Sequence, residues 1–482
     1  MFKLYNSARL AVEPVAGCDT GNVTLYVCGP TVYDVPHLGH GRSALVYDIL
    51  RRYLEWRGIR VIHVSNITDI DDKIINRAFE NNISWEDLAR KYEQVWWEAV
   101  DCLGVLRPTS SPRATEFVGK MVNLIGKLIE ANHAYVTPEG VWFDCNSIAD
   151  YGLLAHQPLE SLRSGARVEI DESKKSPIDF ALWKIAKQGE PSWPSPWGDG
   201  RPGWHTECVA MSLELLGDGF DIHAGGMDLQ FPHHENERSQ AVALDNRFAL
   251  HWMHHAFIEV GGEKMAKSLG NFTSLDDLLS SSDPRAFRLL IMRSHYRSPI
   301  EVTKTEIADA TDALARLDSL ARRLVLLSDN QEAPKTTQGM LQTGQVGLDG
   351  PKLVEKLISL GIVADQSIVD TFVERMDDDL DTPRATAIIF DAIRQANTFA
   401  DDSDQSKALA LGLTVLELCA SLGLYPSLAP TLIPAEVHQL SLERDQARLD
   451  KNFREADRLR DEITRLGWIA EDGPSGTVLR KA

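Results

Sequence analysis

The chain contains no run of about 18 apolar residues that could span a bilayer, and its opening, MFKLYNSARLAVEP, has neither the apolar core nor the cleavage site of a secretory signal. A cytoplasmic protein without membrane association is expected. Cysteine is sparse: the six at positions 18, 28, 102, 145, 208 and 419 follow no regular spacing, which argues against a disulfide framework and leaves thiols free for a metal. Basic charge is short too. Against 70 Asp and Glu stand 50 Lys and Arg, for a net charge of −20, which counts against a broad nucleic-acid-binding surface, so any RNA contact must be local. Internal repeats are missing. What remains is an ordinary soluble composition, 43% hydrophobic and 25% charged, in 482 residues, too many for one compact core; two to four domains are expected.

VTLYVC, residues 23 to 28, has the pattern of a buried strand, and Gly29 to Gly39 supplies turn chemistry. A helix follows in SALVYDILRRYLEWRG, where Leu45, Ile49, Tyr53 and Trp56 recur every three to four positions and Gly58 stands just past the end. Ile59 to Val64 makes the next strand. Strand, helix and strand of this length form a βαβ unit, which predicts a Rossmann-like parallel sheet with its ligand beyond the carboxyl ends of the strands. Residues 110 to 200 mix short helices with Pro- and Trp-rich text such as PSWPSPWGDGRPGW and read as an insertion; FDIHAG and AFIEV then resume the sheet.

The fold class expected is therefore α/β: a catalytic domain over 1–300 with the insertion at about 110–200, a helical bundle over 301–430 and a small C-terminal domain over 431–482. The bundle is predicted from EIADATDALARLDSLARRLVLL, IVDTFVERMDDDL, PRATAIIFDAIRQANTF and ALALGLTVLELCASLGL, with a polar loop at 329–350 and a linker from Pro426 to Pro434. From 441 to the end, nine Lys and Arg balance nine Asp and Glu, so the acidity lies elsewhere. Arg444, Lys451, Arg458 and Arg465 are seven apart, a stripe on a continuous helix, with Arg448 and Arg454 beside it. Such a stripe suits either a salt-bridged solvated face or phosphate contact.

Three sets of residues carry chemistry. His37-Leu38-Gly39-His40 sits at a helix start directly after the first strand, where backbone N–H groups favour anions, Gly39 permits close approach and two imidazoles can donate to phosphate. Lys264-Met265-Ala266-Lys267-Ser268, beyond a strand and next to glycines, places two cations where they can meet the charge of a leaving pyrophosphate. Each alone is as well explained by a turn, but together, more than 220 residues apart in an α/β chain, they resemble the HIGH and KMSKS signatures of class I aminoacyl-tRNA synthetases. Ala266 stands where that pattern has Ser. In FPHHENE, His233 and Glu237 are four apart and would share a helix face; with Cys28 at the end of the first strand and Cys208 in GWHTEC they offer two thiolates, an imidazole and a carboxylate, a zinc donor set. His233 is preferred to His234 on that spacing alone. Half of the chain's 14 histidines lie between His205 and His255.

YVCGPTVYDVPHLGHGRSALVYDILRRYLEWRG, NITDIDDKI, DFALWK, PSWPSPWGDGRPGWHTECVAMS, FDIHAGGMDLQFPHHENE, EKMAKSLGNF and the tail from ARLDKNFREADRLRDEI to DGPSGT resemble bacterial cysteinyl-tRNA synthetases over essentially the whole chain. The resemblance implies ATP-dependent activation of L-cysteine and its transfer to the 3′ end of tRNA(Cys) by a monomer. It implies one zinc ion held by Cys28, Cys208, His233 and Glu237 with the substrate thiolate as an added ligand, and Trp204 walling the cysteine pocket beside Cys28. ATP with Mg2+ would bind through Pro30, Thr31, His37, Gly39, His40 and Lys267; His37, His40, Lys264 and Lys267 would be catalytic. The insertion would meet the acceptor end, and the helical and C-terminal domains would read the anticodon side; Arg444, Lys451, Arg458 and Arg465 are the tRNA-contact candidates that the spacing supplies. The nearest alternative is the related ligase that joins cysteine to an amino sugar in mycothiol synthesis, which needs no anticodon domain.

Overall fold

Val23, Leu25 and Tyr26 are fully buried because the strand they form, Asn22–Val27, has a strand paired on each side. In the computed structural model this strand lies second from the edge of a four-stranded parallel sheet, in the order Ala249–His255, Phe220–Gly226, Asn22–Val27, Arg60–Ser65. The structure describes residues 1–157, 174–259, 274–332, 350–429, 434–473 and 476–481. The helix Leu38–Trp56 crosses from Asn22–Val27 to Arg60–Ser65, burying Leu45, Ile49 and Tyr53 of the predicted set while Trp56 is half-buried, and Gly58 follows it with φ +80°, a conformation costly for other residues. The expected βαβ unit is present.

The strand beside Phe220–Gly226 differs from the expected one. The described part of AFIEV, residues 256–259, does not join the sheet: Ile258–Glu259 pairs with Ile300–Glu301 in a separate two-stranded ladder, and the fourth strand is ALHWMHH, residues Ala249–His255. Its three histidines make it look polar in sequence, yet six of its seven residues are buried, so hydrophobic patterning conceals it.

The insertion also differs. Its described part pairs the helix Val118–Glu130 with an antiparallel sheet of Ala134–Thr137, Gly140–Phe143, Phe180–Ile185 and Gly200–Pro202. Trp183 is buried and its indole N–H donates to the Gly198 carbonyl, so the Trp- and Gly-rich text closes a sheet edge. Gly203 ends that edge: a Cβ there would lie 1.8 Å from the Ala181 carbonyl oxygen.

The chain divides into two units, Met1–Ile307 with Asp365–Asp391 and Glu417–Leu424, and Ala308–Ala364 with Ala392–Leu416 and Tyr425–Ala482. The predicted helices are found as Lys304–Glu332, Gln366–Met376, Thr382–Asp401 and Gln405–Ala420, and Gly350–Ser359 adds to them. Of the polar stretch 329–350, residues 333–349 lie outside the described residues, as do 430–433 of the linker.

The C-terminal arginine stripe is corrected. Residues 441–466 are not one helix but two, Ala435–Leu449 and Phe453–Arg465, broken where Lys451 takes φ +57° and the Asn452 side chain accepts the Glu455 N–H. Arg444 is buried and donates to Thr477 Oγ1 at 2.5 Å, while Arg458 is paired with Glu455 and Glu462. The four positions therefore share no face. A cap residue after an αL residue was the available stop signal, and the seven-residue spacing of basic residues obscured it.

Candidate active site and metal centre

Cys28 follows the central strand directly and its N–H still bonds to the Ala224 carbonyl, which fixes the thiol at the carboxyl end of the sheet. Cys208 lies on the helix Trp204–Leu216. Glu237 lies on Glu235–Val242, and His233 in the Gln230–His234 turn that runs into it. Although His233 precedes the regular helix, the i,i+4 reach holds: its Nε2 is 2.8 Å from Glu237 Oε1. Cys28 Sγ is 3.7 Å from Cys208 Sγ and 3.5 Å from Glu237 Oε1, and Cys208 Sγ is 3.7 Å from His233 Nε2. All four donor atoms lie within 4.8 Å of one another, Cys208, His233 and Glu237 buried and Cys28 half-buried. Two sulfurs, one imidazole and one carboxylate at this separation fit a tetrahedral zinc ion, and thiolates disfavour hard cations such as Mg2+.

The electrostatics of these groups are those of a packed donor set. Burial pushes the Cys28 thiol well up. Cys208 is pulled down to about 6 by the hydrogen bond from Cys28, against burial and the Glu237 charge. Burial alone would lower His233, yet the Glu237 carboxylate and Cys208 raise it to about 10. Burial likewise opposes ionisation of Glu237, but His223 and His233 hold it well below the usual carboxylate range.

Neighbouring groups orient the donors. His233 Nδ1 is 2.8 Å from His205 Nδ1, and the Trp204 ring stacks on His233 at 3.9 Å, which places Trp204 at the wall of this cluster. His223 Nε2 is 3.0 Å from Glu237 Oε2 and 3.5 Å from Cys28 Sγ. His234 turns away from His233, its Nδ1 2.8 Å from His254 Nε2, whose ring in turn meets Ser7 Oγ. With Cys28, His223 and Glu237 it still forms a second set of close donors. The roles of His205, His223 and His254 were not legible singly; the crowding of histidines between 205 and 255 was their signal.

His37 is the N-cap of Leu38–Trp56, and His40, at the third helical position, returns its Nδ1 to the His37 N–H at 3.1 Å. The imidazoles stack at 3.8 Å, and a Cβ on Gly39 would lie 2.9 Å from the His37 ring. Burial lowers His37, and takes His40 down to about 3, so both are neutral near pH 7. Pro30 and Thr31 lie alongside Thr68, whose N–H donates to the Pro30 carbonyl at 3.1 Å. Next to the donor cluster, a cavity of about 870 Å³ lies between the insertion sheet and the segments at Trp204 and Gln230, lined by Asp71, Asp72, Phe180, Lys184, Trp204 and His205 among others. Lys264 and Lys267 lie outside the described residues.

A model of the class I (C) tRNA synthetase catalytic domain matches residues 14–312, a DALR domain model residues 371–425, and a cysteinyl-tRNA ligase anticodon-binding domain model residues 431–480. The cysteine–tRNA ligase of Caldicellulosiruptor saccharolyticus is 41% identical, with 99% of each chain covered, and that of Halorhodospira halophila is 43% identical with 100% of each covered. The chain belongs to the cysteine–tRNA ligase family. As a member of that family it is an enzyme, a class I aminoacyl-tRNA synthetase, and the anticodon-domain match over its tail disfavours the mycothiol alternative. The methionyl-tRNA synthetase of Mycobacterium tuberculosis, solved with methionyl-adenylate, shares the fold at a TM-score of 0.59 and 16% identity, covering 83% of this chain and 89% of that one. No helix among the described residues is long and apolar enough to cross a membrane.

Proposed function

We propose that this enzyme binds L-cysteine at the Cys28, Cys208, His233, Glu237 cluster, activates its carboxylate with ATP, and esterifies tRNA(Cys) at the 3′ end, acting as a cytoplasmic monomer. The observation that carries the reading is that four donors from three separated segments converge within 4.8 Å, and the first of them, Cys28, stands nine residues before His37 of the helix-start motif. Zinc, when bound there, supplies a soft Lewis acid that favours a sulfur ligand over a hydroxyl. Half-buried Cys28 marks the open side, and Trp204 limits how large a side chain can enter.

Activation makes a bond between a cysteine carboxylate oxygen and the α-phosphorus of ATP and breaks the bond to pyrophosphate. Charge gathers on the leaving group. His40, with Nδ1 occupied by the His37 N–H, keeps its proton on Nε2 and donates from there to a phosphate oxygen. Being neutral, the histidines act as hydrogen-bond donors and not as counter-ions. The positive charge is assigned to Lys264 and Lys267, with Mg2+ on the ATP, and stabilisation of this kind counts most when it is realised only in the transition state. Pro30, Thr31 and Gly39 would line the nucleotide.

The tRNA contacts are reassigned within the C-terminal domain, taken as about 431–482 after a catalytic domain of 1–300 and a helical domain of 301–430. Arg444 supports the small domain from inside. The tip between its two helices exposes Leu449 and Phe453 in a stretch that also carries exposed Arg448, Lys451 and Arg454 against one acid, Asp450, an apolar and aromatic surface with nearby cations that suits unstacked anticodon bases. Cysteine-dependent exchange of pyrophosphate into ATP, run with cysteine and with serine on protein of measured zinc content, tests the whole assignment.

A further inference from the structure

The two cysteines of the donor cluster are 180 residues apart in the chain, and one buried amide lies against the Cys208 sulfur and the residue after Cys28. Asn66 stands just beyond the Arg60–Ser65 strand, 1% exposed. Its Oδ1 accepts the N–H of Gly29, the residue after Cys28, at 2.8 Å, and lies 3.8 Å from Cys208 Sγ. The contact with the Cys28 turn is flush: a Cβ on Gly29 would lie 1.7 Å from the Asn66 carbonyl oxygen. The amide has one orientation, because Nδ2 donates to Thr68 Oγ1 at 3.1 Å, and Thr68 passes its own hydroxyl proton to Glu207 Oε2 at 3.0 Å. Glu207 neighbours Cys208. A continuous chain of hydrogen bonds thus runs from the residue after one cysteine to the residue before the other.

We propose that Asn66 and Thr68 are positioning residues that set the separation of the Cys28 and Cys208 sulfurs and thereby the metal affinity and cysteine selectivity of the site. The inference rests on the reading that these cysteines hold zinc. Coordination demands donor positions good to a few tenths of an ångström, and the strand end and the helix have no covalent tie to enforce that. Thr68 also brackets the nucleotide loop through its backbone, its N–H to the Pro30 carbonyl and its carbonyl to the Val32 N–H, so the same short segment touches both proposed substrate sites. Only its side chain serves the metal side.

The test uses full-length protein stripped by a chelator, with zinc affinity measured by competition, cobalt(II) absorption as a report on thiolate geometry, and cysteine-dependent pyrophosphate exchange. Thr68→Val keeps the shape and removes the hydroxyl; Thr68→Ser keeps the hydroxyl; Asn66→Ala removes the amide without adding volume and so remains informative if valine misfits. Thr68→Val and Asn66→Ala should weaken zinc binding on the order of 10- to 100-fold, alter the cobalt–thiolate bands, and raise KM for cysteine while leaving KM for ATP nearly unchanged. Thr68→Ser should match wild type. Wild-type affinity and spectrum in Thr68→Val, or a Thr68→Ser protein as impaired as Thr68→Val, would overturn the role of this pair. Wild-type protein that takes up neither metal would instead contradict the zinc reading beneath it.

Discussion

His40 Nδ1 accepts the backbone N–H of His37 at 3.1 Å, so one imidazole of the His37–His40 motif caps the helix that presents it. Structure and chemistry are therefore separable at this residue. His40→Asn retains an acceptor for the cap but loses the Nε2–H donor, and should slow pyrophosphate exchange on the order of 100-fold with little change in Tm. His40→Ala loses both and should in addition cost about 1 kcal/mol in unfolding free energy. Equal activity in wild type and His40→Asn would remove the Nε2 donor from the reaction.

Burial takes His63, His254 and His255 each down to about 3. Their unfolded forms protonate near 6.5, so below that pH the unfolded state binds more protons and stability falls as pH is lowered towards 3, by at most about 1.4 kcal/mol per pH unit for each histidine. Neither ring nitrogen of His63 has a hydrogen-bond partner. His63→Leu should accordingly raise the urea midpoint, and by more at pH 5 than at pH 8. An equal shift at both would show that folding does not lower the His63 pKa and that the ring is as protonated in the folded state as in the unfolded one.

Lys267→Ala should reduce the rate of cysteinyl-adenylate formation roughly 100- to 1000-fold while KM for cysteine changes little, because the lysine acts on charge that develops only in the transition state. Rapid-quench measurement of adenylate formation would show this. An unchanged rate would exclude the residue.

The βαβ unit, the helix start at His37 and the grouping of Cys28, Cys208, His233 and Glu237 were legible because each rests on local spacing or on rare residue types. The Ala249–His255 strand was not, since burial of three histidines reverses the usual link between polarity and exposure. The arginine stripe failed for a related reason. Seven-residue spacing implies a shared face only on an unbroken helix, and the turn at Lys451 and Asn452 breaks it. Asn66 and Thr68 lie within NITDIDDKI, but their contacts with Gly29 and Glu207 join residues 37 and 139 positions apart, which no periodicity discloses.

The break in the stripe changes what substitutions there should do. Lys451→Ala or Arg454→Ala should weaken tRNA charging, and each should lower the slope of log affinity against log salt by roughly 0.7 to 0.9, with pyrophosphate exchange unaffected. Phe453→Ala should weaken binding without changing that slope. Arg444→Ala, by contrast, should destabilise the C-terminal domain. Uniform effects across the four would mean that the tip is not where RNA contacts are made.

Recognition of cysteine by its sulfur is the centre of the account, since serine fits any pocket that holds cysteine and packing alone separates such isosteres by only about 1 to 3 kcal/mol. Among the changes that bear on it, Cys208→Ser replaces one sulfur donor with a hydroxyl that does not ionise near neutral pH. The decisive measurement is pyrophosphate exchange driven by cysteine and by serine, with zinc content determined on the same wild-type and Cys208→Ser samples. One zinc per wild-type chain, its loss in Cys208→Ser, a KM for cysteine raised far more than that for ATP, and no gain in serine activation are the predicted results. Zinc-free wild-type enzyme that still selects cysteine over serine would contradict the account.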